Sequence, residues 1–370
     1  MTAGAPARVL QLGTGRFVRG FVDTFLDDAN AAAVGERAWA VTAVESTGSG
    51  RASALAAQGG AFRLLVRGLR DRAVVDEART IRSIDVALDG ASDPAAVEAA
   101  AADPAVRVLV SNVTEAGYAA GAGGFPDRLL DLLLARDRAG LRGLTLLPLE
   151  LIERNGDRLR TLVDGEAARR EVDPLTWASV RGATTWGVTL VDRITTTPDP
   201  ALPGVAGDPL AVAVEPFASW VVELPADAAW PLPEHPAIVR TADVGPYALR
   251  KIRLLNGAHT ALVARCRGTS ITFVREAMAD PTIATWLEAL LREELVPALG
   301  DRIVDGEAFA TDVLERFRNP FLDHRLADIA LHHEAKLGVR LVPTYHDHVA
   351  RFGRPPVLLG RLLESEGVSL

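Results

Sequence analysis

Short apolar runs separated by amphipathic stretches set the rhythm of the first half of the chain. "RVLQL" (8–12), "WAVTAV" (39–44), "VRVLVSN" (106–112), "LTLLPLE" (144–150) and "WGVTLVDRI" (186–194) read as strands. Between them, Val18 to Ala33, "DPAAVEAAAAD" (93–103) and "PDRLLDLLLARDRAG" (126–140) carry helical periodicity. Strands alternating with helices predict parallel βαβ units, hence an α/β fold with a doubly wound sheet. A Pro/Gly-rich stretch, "TTTPDPALPGVAGDP" (195–209), suits a linker or surface excursion. After "WPLPEHP" (230–236) the pattern is mainly helical, from about Pro246 to the end. Two domains are expected, residues 1–200 α/β and 201–370 mostly α, with the boundary near residue 200.

The first strand runs into "GTGRFVRG", placing Gly13 and Gly15 where a tight turn lets backbone approach a pyrophosphate. The third glycine of the usual fingerprint would fall at Val18, and Gly20 comes two residues late. That shift requires a different packing of helix on strand. The second strand ends at Glu45, a carboxylate able to accept from adenosine ribose hydroxyls and to repel a 2′-phosphate. NAD is therefore expected over NADP, although Arg51 lies close in sequence. "SNVTEAGY" (111–118) puts Asn112, Thr114 and Glu115 at a later strand end, where such residues face a ligand crevice.

"RKIRLLNGAHT" (250–260) sets Lys251, Asn256 and His259 into an otherwise apolar helix. At about 100° per residue, all three share one sector over a rise of about 12 Å. Gly257 in the same helix points to a close approach of a ligand or another backbone. A hydride-transfer enzyme without a metal needs a base for the alcohol proton and donors for the developing carbonyl oxygen. A poorly solvated lysine can be that base. Asn256 can donate to the oxygen and His259 can bind a neighbouring hydroxyl. The competing reading is structural: Lys251 reaches solvent, Asn256 bonds backbone and His259 is a core histidine.

Bulk properties narrow the remaining classes. The chain has 370 residues and a net charge of −8, with no basic stripe interleaved with aromatics, so nucleic acid is not an expected partner. Cys266 is the only cysteine, which excludes an intrachain disulfide or a cysteine metal cluster and fits a reducing compartment. Neither a signal peptide nor a long apolar span is read, and a cytoplasmic location is expected. "LHHEAK" (His332, His333, Glu334) and "YHDHVA" (His346, Asp347, His348) are the candidates for a metal site. Adjacent histidines on a helix diverge by about 100° and chelate poorly, so no metal is expected.

The spacing Lys-x4-Asn-x2-His at Lys251, Asn256 and His259 resembles the signature of the mannitol dehydrogenase family, the polyol-specific long-chain dehydrogenases. "GTGRFVRGFVD", "SNVTEAGY", "LPLELIERNG" (147–156), "LVDRI" (190–194) and "RFRNPFLDHRL" (316–326) follow in the family's order, so the resemblance spans nearly the whole chain. Several of these segments look closest to the tagaturonate reductase (altronate oxidoreductase) branch, which reduces a keto sugar acid with NADH. The resemblance implies a Rossmann-like N-terminal domain, a helical C-terminal domain, NAD as cofactor and no catalytic zinc. It implies Lys251 as general acid/base, with Asn256 and His259 beside it and Asn155 helping to hold the reacting oxygen. Gly13, Thr14, Gly15 and Phe17 would form the cofactor turn, and Asp192, Arg316 and His324 would lie near substrate. The chain is shorter than many uronate-acting members, and Leu149 stands where relatives often carry cysteine. Both departures bear on the substrate more than on the chemistry. The alternatives are a polyol 2-dehydrogenase (mannitol or arabinitol), a sugar-phosphate dehydrogenase such as one for mannitol 1-phosphate, using Arg250, Arg253 and Arg265, or an NAD-sensing module with no use for the lysine.

Overall fold

The structure, a computed structural model, describes residues 6–33, 37–141 and 143–370. Its contacts divide the chain into two units. The first holds Met1–Val66, Glu77–Val214 and Ala218–Val244; the second holds Arg67–Asp76, Glu215–Phe217 and Gly245–Leu370.

In the first unit, six strands form one sheet in the spatial order Ile84–Asp89, Trp39–Glu45, Ala7–Leu12, Val106–Ser111, Thr145–Pro148, Thr185–Trp186. Every adjoining pair is parallel. Counted along the chain, the order is third, second, first, fourth, fifth, sixth, the arrangement of dinucleotide-binding sheets. Such strands are covered on both faces, which is why their sequences read as apolar runs rather than alternations. Val9, Leu10, Val41 and Val108 have no exposed surface. The covering helices include Val22–Ala32, Pro94–Ala101, Phe125–Arg138 and Asn155–Arg169. Pro94–Ala101 starts as its sequence suggests, with the Asp93 carboxylate accepting from the Ala96 amide at 2.9 Å and Pro94 in the first turn.

Two features differ from the sequence reading. Between the second and third sheet strands lies a β-hairpin, Phe62–Arg70 with Ala73–Ile81, turned by Asp71 and Arg72 at φ 52° and 65°. Val212–Val214 pairs parallel with its first strand at Leu64 to Val66, and Thr195–Thr196 pairs antiparallel with Val214 and Ala213. The Pro/Gly-rich stretch between those two short strands is thus packed structure, not a linker: Val205 and Leu210 are buried, and the Asp208 carboxylate receives the Arg63 amide at 2.6 Å. Likewise Ser219–Glu223 pairs with Val188–Asp192 on one side and Ile238–Thr241 on the other. These ladders keep most of the chain up to Val244 in the first unit, with Arg67–Asp76 and Glu215–Phe217 passing to the second, so the units do not divide at one point near residue 200.

The second unit is chiefly helical, around a core that includes Leu254, Leu262, Leu287, Leu290, Leu314 and Leu341. One continuous helical run carries the lysine: α-helix Gly245–Arg250, a π-helical turn Lys251–Asn256, then α-helix Gly257–Arg265. Gly257 sits close to Leu341: a Cβ there would stand 3.3 Å from the end of that side chain. The neighbour there is a side chain, and the nearest backbone atom of another element, the Arg340 carbonyl oxygen, is at an ordinary contact distance of 3.8 Å. No helix among the described residues is long and apolar enough to cross a membrane.

Candidate active site

The first unit has a cleft of about 640 Å³ at the carboxyl ends of the parallel strands, beside the point where strand order reverses. Gly13, Thr14 and Gly15 line it from the first strand, and Asn112 and Thr114 from the fourth. Gly13 has φ 133°, and a Cβ on it would stand 3.1 Å from the Asn112 carbonyl oxygen. Only glycine satisfies both demands. Gly15 is less constrained, as a Cβ there would meet nothing nearer than Asn112 Oδ1 at 3.9 Å. The missing third glycine is explained at Gly20, where a Cβ would collide with Val214 and crowd Val212 and Thr195. The helix after the glycine turn breaks at Gly20 so that these strands can pack against it, while Val18 is fully buried.

Buried polar groups hold the turn from behind. Arg19 donates from Nε to the Thr14 carbonyl at 3.0 Å and from a second nitrogen to the Leu210 carbonyl. Burial lowers its pKa to about 10. Gln11 Nε2 donates to the Gly13 carbonyl at 3.2 Å and to Asp23 at 3.3 Å. Asp23 is wholly buried, and desolvation raises its carboxyl to about 7. Phe17 is absent from the cleft lining and stacks on Phe21 with ring centroids 4.9 Å apart.

Glu45 departs from its expected role. Its carboxylate turns away from the cleft and is consumed by the following loop, accepting from the amide and hydroxyl of Ser49 and from the Ala52 amide at 2.8 Å. The residue is 1% exposed, which leaves the carboxylate no surface to offer a ribose hydroxyl. Ser46, Thr47 and Arg51 line the cleft at this strand end. The Glu115 side chain lies outside the described residues.

Sequence reasoning passed over Glu150, whose buried carboxylate accepts from Ser111 Oγ at 3.1 Å, the Val113 amide at 2.9 Å and Tyr118 Oη at 2.9 Å. Burial raises its pKa, and these three donors oppose the shift. It fixes the loop that presents Asn112 and Thr114. The signal available was an acid at the end of an apolar strand. Asn155 is equally committed: Nδ2 donates to the carbonyls of Pro148, Glu150 and Thr189, at 2.9, 3.1 and 3.1 Å, and Oδ1 accepts the Thr189 amide at 2.9 Å. An amide spent in this way clamps strand ends together; it has no donor left for a reacting oxygen. Asp192 closes the strand Val188–Asp192 and is buried.

In the second unit, the π turn changes the geometry of the signature. On an ideal α-helix Asn256 would stand about 140° from Lys251, whereas i→i+5 bonding draws residues five apart toward one stripe. Lys251 and Asn256 bound that turn, and both are half-buried. His259 follows within one turn, its ring 4.2 Å from Phe317 and 4.9 Å from His324. Desolvation holds His259 well below the usual imidazole range, helped by His324, Arg316, Arg340 and Lys336. Burial lowers His324 as well. Arg316 is bound in a buried bidentate pair to Glu215, at 2.9 and 2.8 Å, and lies over the Phe217 ring. Arg340, not singled out from the sequence, donates to the Asn256 carbonyl at 3.4 Å and to Thr260 Oγ1 at 3.2 Å. Among the described residues no group of three His, Cys, Asp or Glu is arranged to hold a metal ion.

Residues 7–231 match the family model for the mannitol dehydrogenase Rossmann domain, and residues 243–362 match that for the mannitol dehydrogenase C-terminal domain. The chain belongs to the mannitol dehydrogenase family. The altronate oxidoreductase of Bacillus subtilis (strain 168) is 31% identical over 373 residues, spanning 95% of this chain and 77% of the relative. That of Klebsiella pneumoniae (strain 342) is 34% identical over 367 residues, spanning 91% and 74%. These place the chain in the altronate oxidoreductase branch, among NAD-dependent oxidoreductases acting on CH–OH groups. Among solved structures, a D-sorbitol dehydrogenase in substrate-free form aligns with TM-score 0.82 at 23% identity, covering 97% of this chain and 79% of that one. A Pseudomonas fluorescens mannitol 2-dehydrogenase in ternary complex with NAD and D-mannitol aligns with TM-score 0.73 at 24% identity, covering 97% and 78%. Both bear out the Rossmann-type domain followed by a helical one.

Proposed function

We propose that the protein interconverts a keto sugar acid of the tagaturonate type with its alcohol, using NAD(H) and no metal, with Lys251 as general acid/base. The observation that carries this reading is the π turn at Lys251–Asn256, set in the helix that also bears His259. π turns are frequent at functional sites. Of the two in this unit, Leu290–Leu295 is largely buried in the core, and Lys251–Asn256 is the one that carries a half-buried lysine and asparagine. The cleft at the switch point fits a dinucleotide through its glycine turn, where Gly13 keeps backbone close to Asn112. When bound, the dinucleotide supplies the hydride.

The residues of this chain then manage the proton and the oxygen. In the reducing direction Lys251 Nζ gives a proton to the carbonyl oxygen, and in the oxidising direction it takes the hydroxyl proton. Asn256 donates a hydrogen bond to that oxygen, which strengthens as charge develops. His259, kept neutral, offers one donor and one acceptor nitrogen to a neighbouring hydroxyl. Asp192 and His324 are assigned to substrate; Arg316, already paired with Glu215, shapes that region through the pair. Asn155 and Glu150 position the strand ends that carry the cleft.

The substrate is tested by following NADH oxidation with tagaturonate, fructuronate, fructose, xylulose and fructose 6-phosphate, with and without a chelator. Turnover of a keto acid, unchanged by chelation, is expected. A ketose or sugar phosphate turned over faster than either acid would reassign the substrate, and loss with chelator would require a metal.

A further inference from the structure

The end of the second sheet strand carries a recognition surface that differs from that of an NAD-selective cleft. Discrimination against a 2′-phosphate normally comes from a carboxylate at this strand end facing the adenosine ribose, and an arginine there accommodates the phosphate. Here the carboxylate of Glu45 is buried and held by Ser49 and Ala52. It also accepts from Thr47 Oγ1 at 3.4 Å and interacts with the charge of Arg51, its own charge being taken up largely by the loop amides. Its neighbour across the sheet, Asp89, is also engaged locally, accepting the Ala91 amide at 3.0 Å. Neither acid lines the cleft.

Ser46, Thr47 and Arg51 line it instead. The acids that share the lining are already paired: Glu98 with Arg138 at 3.3 Å, and Asp131 with Arg170 at 2.7 Å. Among the described contacts the Arg51 guanidinium makes no hydrogen bond or ion pair, and its Nε is buried without a partner. The cationic Arg19 stands near enough to feel its charge. A buried donor without a hydrogen-bond partner, beside the Ser46 and Thr47 hydroxyls, is suited to a dianionic phosphate.

We propose that Ser46, Thr47 and Arg51 bind the 2′-phosphate of NADP(H), so that the cleft accepts both nicotinamide dinucleotides. This rests on the dinucleotide reading of the cleft. Arg51 donates to the phosphate oxygens and the two hydroxyls complete the cradle. With NAD(H) the same side chains meet only a ribose hydroxyl.

Fluorescence titration of the purified protein with NADH and NADPH, in wild type, Arg51→Ala and Arg51→Lys, tests the proposal. The wild type should bind the two within about tenfold of each other. A charge-assisted hydrogen bond of ordinary strength predicts that Arg51→Ala weakens NADPH by about tenfold to a hundredfold. NADH should change by less than about threefold, the size of a lost uncharged contact, and Arg51→Lys should recover part of the NADPH affinity. NADH binding more than about a hundredfold tighter than NADPH in wild type would overturn the proposal and leave the dinucleotide cleft standing. Equal weakening of both nucleotides by Arg51→Ala would overturn it too, by placing the arginine on a shared part of the ligand. Binding of neither nucleotide would remove the dinucleotide reading itself.

Discussion

Burial decides which ionisable side chains behind the glycine turn carry charge. Asp23 titrates near the ordinary 3.8 when unfolded and about 7 when folded, because no solvent reaches it. Between those values the folded state holds a proton that the unfolded chain has lost. Stability therefore falls as pH rises from about 4 to about 7, at most by about 1.4 kcal/mol per pH unit, and stays at the lower level above. Asp23→Asn removes that dependence and gives the orphaned Gln11 Oε1 a donor within reach. Its thermal midpoint should exceed the wild type's by more at pH 8 than at pH 5 in scanning calorimetry. An equal offset at both would show that the carboxyl does not titrate there. Residues of this kind were partly legible in the sequence. Gly13, Asn112 and the lysine signature occupy the strand end or helix their spacing indicated. Glu45 did not take its expected place, because its direction depends on the loop from Ser46 to Ala52, and spacing carries no information about which way a loop folds back.

At the scale of elements, the strands of the parallel sheet were plain because strands buried on both faces must be apolar throughout. The hairpin Phe62–Arg70 with Ala73–Ile81 was not seen, since its second strand is largely exposed and lacks an apolar face. The ladders that carry the first unit on to Val244 were hidden in the same way, being short and set among prolines and glycines. The π turn was also invisible: the sequence of an α-helix and that of a helix wound more loosely over one turn share the same apolar pattern. It is nonetheless the element with the sharpest consequence. Ile252 lies within it and is among the exposed apolar side chains. Deleting Ile252 would let the turn rewind as α-helix, leaving Lys251 four residues and about 40° from Asn256, on the same stripe but displaced on the order of 1 Å from its place on the wider turn. The core positions from Leu254 onward would keep their neighbours. Turnover should fall, by up to about a hundredfold, while NADH affinity holds, because misplacement of a reacting group costs rate, not cofactor binding. A deletion variant that folds and turns over normally would make the π turn incidental.

Across the whole molecule the candidate groups divide by unit: the parallel sheet carries the cleft with the glycine turn, and the helical unit carries Lys251, Asn256 and His259. The altronate oxidoreductase relatives align over both units, and the proposal assigns Lys251 the proton transfer in oxidation and reduction of the alcohol. Desolvation holds His259 well below the usual imidazole range, so it does not account for a rate that rises above pH 7, and Asp23→Asn separates any contribution of Asp23, which titrates at about 7. The direct test is the pH profile of altronate oxidation with saturating NAD, in wild type and Lys251→Ala. The wild-type rate should rise with pH to a plateau as the lysine loses its proton. Lys251→Ala should lose about 10²- to 10⁴-fold, the usual worth of a general acid/base, and still bind NADH. A wild-type rate flat from acid to alkaline pH, or a Lys251→Ala protein that keeps its activity, would contradict the assignment.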